Sequence, residues 1–148
     1  MKIEQITVTT FKTTTNKMND TDGHTHPGPV RDSSNSMLTI TTDDGHSGYS
    51  FGSGESLRPY IMENFVKKVF LGEDPMDREK LWLGLARWQR GSGANLTDKT
   101  LATAEMALWD LAGRALNTPV WKLLGGYRDS VPAYGSTMCG RSEEHTSE

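Results

Sequence analysis

At Glu55 the period of the sequence changes, and that change limits the possible folds more than any other feature. Before it, Ile6, Val8 and Thr10 alternate with Thr7 and Thr9, and a similar pattern returns in SMLTITTD at residues 36–43. A period of two is that of a half-buried strand. Asp44-Gly45 separates SMLTITTD from HSGYSFG, and because both residues tolerate positive φ, the dipeptide predicts a tight hairpin. After Glu55 the spacing becomes helical. Ile61, Phe65 and Val69, with Met62 and Val66 beside them, form one apolar face of a helix that admits Pro59 in its first turn and stops at Gly72.

The helical pattern continues. Asp74-Pro75 reads as the N-cap and first residue of a second helix, buried through Trp82, Leu85 and Trp88 with Leu81 and Ala86, and broken by the Gly-Ser-Gly at 91–93. Thr97 caps a third, whose Leu101, Ala104, Leu108, Leu111 and Ala115 fall three and four apart. Asn117 closes it, Thr118-Pro119 opens a short helix through VWKLL, and Gly125-Gly126 ends that one. VPAYGSTM, residues 131–138, is a last β-prone segment. The expected fold class is α+β: a three-stranded antiparallel sheet followed by a helical bundle, then one new strand.

Between the first two strands, residues 12–32 are polar, punctuated by Gly and Pro, and show neither period. They read as a long loop, of the kind that serves as a lid or stays disordered. With 148 residues and a net charge of -3, the chain has the composition of an ordinary globular domain, and its scattered basic residues predict no nucleic-acid partner. No apolar run predicts a leader or a membrane span, so a cytoplasmic location is expected. The single cysteine, Cys139, has no partner for a disulfide or a zinc site and reads as a small apolar filler.

AEMALWDLAGRALNTPVWKLLGG, residues 104–126, resembles the junction between capping domain and barrel in the mandelate racemase and muconate lactonizing enzyme family of the enolase superfamily. The strands and helices before it, and VPAYGS after it, are similar to that family in the same order. The resemblance implies three parts: a capping domain over 1–126, the start of a TIM-like barrel with its first strand over 127–140, and a tail, 141–148, foreign to both. One choice of codons for RSEEHTSE spells the beginning of a widely used sequencing adapter, so the tail reads as translated library DNA, with a natural polar terminus as the alternative. Glu143, Glu144 and His145 are accordingly not promoted to a metal site.

For the complete enzyme, the resemblance implies abstraction of the proton α to a carboxylate, with Mg2+ stabilising the enediolate. It also implies a homo-oligomer. A small-molecule sugar acid is the expected substrate and acid-sugar dehydration the expected reaction, the polar, histidine-bearing segment 18–32 favouring a polyhydroxylated acid. Racemisation, epimerisation or cycloisomerisation share the first step, and a freestanding α+β binding module is the alternative from another class. The family's catalytic bases and metal ligands have no counterpart in the sequence, which predicts an inactive fragment that binds no metal.

The family's two substrate-covering loops match residues 18–32 and 49–54. The candidate substrate contacts there are His24, His26, Arg31, Tyr49 and Phe51, with Ser136 and Thr137 at the end of the barrel strand. Arg31 suits a carboxylate through its planar fork, and the histidines suit hydroxyls. Tyr49 and Phe51 would line a cavity or pack on the helices. Asp110 and Arg114, four apart, are expected to pair along a helix, and Trp109 and Trp121 to lie in a core seam.

Overall fold

A computed structural model of the chain describes residues 1–21, 25–92 and 96–133. These residues fall into two compact units. One comprises the described residues of 1–11 and 34–126; the other comprises those of 12–33 and 127–133.

The expected sheet is present: β1 (Ile3–Asn19), β2 (Thr25–Thr42) and β3 (Ser47–Gly52) are ordered β1-β2-β3. The first unit holds β3 with the parts of β1 and β2 that fall within residues 1–11 and 34–42. β2 and β3 are antiparallel, with Leu38 opposite Ser50 and Ile40 opposite Gly48. The turn between them is closed by Thr42 N–H donating to His46 O at 2.9 Å, with Gly45 at φ +88. Asp43 N–H donates to Lys2 O, whereas farther along Thr10 and Ser36 lie side by side, their hydroxyls 3.0 Å apart. The two pairs differ in register by one residue. Glu4 and Gln5, consecutive and both exposed between buried Ile3 and Ile6, take up the extra residue as a β-bulge that sequence alternation did not predict.

The helices cover the sheet face that carries Ile3, Ile6, Leu38 and Ile40. α1 (Pro59–Ile61) and α2 (Lys67–Phe70) are joined by a π-helical turn, Met62–Val66, into one run that buries Ile61, Met62, Phe65, Val66 and Phe70. α3 spans Arg78–Ser92, α4 spans Asp98–Ala115 and α5 spans Val120–Leu123. α4 packs directly on β3. Gly48 makes this approach possible, since a Cβ there would collide with Leu111 N and Ala107 O, both backbone atoms. Thr97 caps α4 as expected, accepting from Thr100 N–H, and Gly72, Asn117, Gly125 and Gly126 end helices with positive φ.

Three expectations need correction. Residues 12–32 are not a structureless loop, because β1 continues to Asn19 and β2 begins at Thr25. A ribbon has no need of apolar alternation when paired backbone groups hold it, which is why its polar sequence concealed it. α3 starts at Arg78 rather than Pro75: Asp74 closes a turn instead, its Oδ1 accepting from Met76 N–H at 2.9 Å and its carbonyl from Asp77 N–H at 3.1 Å. Trp88 is half exposed, not core, and stacks edge-on against Phe65 with ring centroids 5.7 Å apart. No helix or strand occurs in 127–133; most of the expected barrel strand, Cys139 and the tail 141–148 lie outside the described residues.

Candidate functional site

β3 carries two candidate residues, and its pleat decides where they point. Gly48 and Ser50 face α4, while Tyr49 and Phe51 stand on the opposite face, 41% and 62% exposed. Neither side chain is buried beneath the helices, although Tyr49 reaches α4 through Arg114. Phe51 meets Phe11 edge to face, with centroids 6.1 Å apart.

Tyr49 is also the centre of a clasp between strand and helix. Its backbone N–H donates to Asp110 Oδ2 at 3.0 Å, and its hydroxyl accepts from Arg114 Nη2 at 2.7 Å. Arg114 Nε donates to the same Asp110 oxygen at 2.8 Å, and its guanidinium lies 4.5 Å from the Tyr49 ring centre. The hydrogen bond to Asp110, reinforced by its charge, raises the Arg114 pKa above its ordinary value. The expected Asp110–Arg114 helical pair thus exists. Its extension to Tyr49, 65 residues from Arg114, had no local signal in the sequence.

The turn after β3 is tied down rather than loose. Ser56 N–H donates to Ser53 Oγ at 3.1 Å, Ser56 Oγ donates to Ser53 O at 2.9 Å, and Thr100 Oγ1 in α4 donates to Ser56 O at 2.9 Å. Residues 49–54 are therefore held against α4 at one end by Asp110 and Arg114 and just beyond the other by Thr100.

In the second unit, Arg31 Nη2 donates to Lys17 O at 2.9 Å across the ribbon, and His26 Nε2 lies 2.7 Å from Asp20 Oδ2. Both side chains are spoken for within the ribbon, and His26 remains partly exposed. His24, Ser136 and Thr137 lie outside the described residues. Trp109 is half buried beneath Arg78, whose guanidinium carbon is 3.9 Å from the ring centre, and Trp121 is 43% exposed, so neither is a core residue in this chain.

Among the described residues, no three His, Cys, Asp or Glu side chains converge to hold a metal ion. The described residues do not fit a magnesium site. No helix among these residues is long and apolar enough to cross a membrane.

Comparison with known proteins agrees with this architecture. Residues 5–125 match the family described as mandelate racemase / muconate lactonizing enzyme, N-terminal domain. The structure of D-glucarate dehydratase from Agrobacterium tumefaciens complexed with magnesium superposes with a TM-score of 0.87 and 56% identity, over 97% of this chain and 38% of that one. A D-galactonate dehydratase family member from Pseudarthrobacter chlorophenolicus is 37% identical over 106 residues, which is 66% of this chain and 25% of that protein. D-Galactonate dehydratase from Klebsiella pneumoniae is 37% identical over 102 residues, 66% of this chain and 26% of the relative. The chain thus spans about a quarter of the length of these curated relatives. With its three-stranded meander, its helices and a family match across both, the chain belongs to the mandelate racemase / muconate lactonizing enzyme family of the enolase superfamily, as an N-terminal capping domain.

Proposed function

We propose that this chain is the capping part of a magnesium-dependent acid-sugar dehydratase and that it has no turnover alone. The observation that carries the reading is the 56% identity to D-glucarate dehydratase over 97% of the chain. Two D-galactonate dehydratase relatives support the same reaction class. In the parent protein, loss of the proton α to the carboxylate and departure of the β-hydroxyl as water would leave an enol that becomes a 2-keto-3-deoxy acid. The groups that move these protons, and the residues that hold magnesium, would lie beyond the described residues.

The part played by the described residues is substrate selection. The ribbon over 12–33 carries His26 and Arg31, and the fixed row on β3 carries Tyr49 and Phe51. Such residues restrict which acid fits without taking part in bond breaking. His24, Ser136 and Thr137 belong to the same proposal by sequence position alone.

Arg31→Ala in the parent enzyme is the test. Because Arg31 is exposed, its loss should leave stability within about 0.5 kcal/mol while lowering kcat/KM for the sugar acid about tenfold or more. Unchanged kinetics with a large loss of stability would make the bond to Lys17 O its only role.

A further inference from the structure

Tyr49 is 41% exposed and yet restrained at both ends. At its backbone, the N–H is taken by Asp110 Oδ2. At its tip, the hydroxyl accepts from Arg114 Nη2 at 2.7 Å, and between the two the guanidinium lies over the ring. Arg114 is fixed in turn by Asp110, one helical turn earlier on α4, and α4 is seated on β3 by the close approach at Gly48. All of these restraints come from one helix. They add little to stability, because an exposed ion pair four residues apart on a helix is a weak one.

What the clasp does fix is the role of the hydroxyl. A phenol has one proton to donate and two lone pairs with which to accept, whereas a guanidinium only donates. Arg114 therefore occupies a lone pair of Tyr49 and cannot receive its proton. Among the described residues, the hydroxyl makes no other hydrogen bond. Its O–H is left to donate outward, from an oxygen held in place and backed by a cation.

We infer that Asp110 and Arg114 are positioning residues, which hold the Tyr49 hydroxyl as a hydrogen-bond donor to an acceptor oxygen of the sugar acid. The inference rests on the reading that Tyr49 meets substrate; it adds the direction of the hydrogen bond and the pair that sets it. Neither Asp110 nor Arg114 touches the acid itself. A ring already held in its bound orientation loses less freedom on binding than one free to swing, so the contact is stronger for being prepared. It is also more selective. An acid with no oxygen at that point leaves the donor unpaired, and a site built to hydrogen-bond a substrate group rejects an analogue that lacks it.

Equilibrium binding of D-glucarate to the full-length parent, followed by titration calorimetry with Mg2+ present, tests the inference. Tyr49→Phe keeps the ring and removes the hydroxyl, and should raise the dissociation constant about tenfold. Arg114→Ala should raise it about fivefold by itself and have no further effect in the Tyr49→Phe background, because its influence passes through the hydroxyl. Arg114→Lys covers the case in which the alanine variant does not fold. Lysine keeps the charge beside Asp110 but lacks the planar fork that serves Asp110 and the hydroxyl together, so this variant should fold and still bind about fivefold more weakly. Equal losses from Arg114→Ala in the two backgrounds would make the clasp a structural brace and overturn the inference. Unchanged binding by Tyr49→Phe, or a folded parent that binds no D-glucarate, would overturn it too. Binding is read without turnover, so a parent that shows the coupling but dehydrates nothing would refute the reaction proposed above and leave the positioning role standing.

Discussion

Gly48 sets the distance between sheet and helix. With Leu111 N and Ala107 O where a Cβ would stand, Gly48→Ala cannot be relieved by a side-chain rotation; α4 itself must move. The expected cost is about 3 kcal/mol, at the upper end for overpacking, measured by urea unfolding. Gly91, in α3, has nothing within 4 Å of its virtual Cβ, so Gly91→Ala should be neutral or stabilise by up to about 1 kcal/mol. Similar losses at both positions would refute the close-approach argument. Asp44 is a second residue with a definite consequence. Hydrogen bonds from Thr42 Oγ1 at 2.6 Å and His46 Nδ1 hold its pKa down from 3.8 to about 2. A carboxyl depressed on folding stabilises the fold above its unfolded pKa, and that contribution disappears as pH falls through the folded one. Between about pH 4 and 2 the wild type should therefore lose stability that Asp44→Asn lacks from the start. An NMR titration placing the Asp44 carboxyl at its ordinary value would contradict this.

At the scale of elements, the sequence was legible where local chemistry decides the outcome. Asp44-Gly45 marked the hairpin, Thr97 the start of α4, and Gly72 and Gly125 the ends of helices, because each acts through its own backbone or nearest neighbours. It was opaque where partners are distant or the backbone acts alone. The ribbon over 12–33 has no hydrophobic pattern to read, the bulge at Glu4 and Gln5 needs a partner strand to define it, and the clasp from Tyr49 to Arg114 joins residues far apart in the chain. The candidate site was legible in type only: β3's alternation told that Tyr49 and Phe51 share a face, not which face. α5 carries a prediction of its own. None of its residues is buried, and Trp121 and the adjoining Leu124, 65% exposed, form an apolar seam. The 148-residue chain should self-associate through this seam, and Trp121→Ser with Leu124→Ser should abolish association in sedimentation while changing stability by about 0.5 kcal/mol or less. Association unaffected by the pair would place the contact elsewhere.

For the whole molecule, the described residues fold into a sheet-and-helix unit in which no three His, Cys, Asp or Glu side chains converge to hold a metal ion. The core joins sheet and helices through Leu38, Ile40, Val66, Leu108 and Leu111, all essentially inaccessible, so the capping fold has an interior of its own. In the function proposed above, its role is exercised within a longer protein. The most direct test is steady-state assay of the full reading frame's product with D-glucarate and D-galactonate, in the presence of Mg2+ and after chelation, beside the 148-residue chain. The account predicts formation of a 2-keto-3-deoxy acid by the metal-loaded parent, loss of that activity on chelation, and none from the 148-residue chain. Turnover by the 148-residue chain, or a folded, metal-loaded parent that racemises or cyclises these acids and dehydrates none, would contradict it.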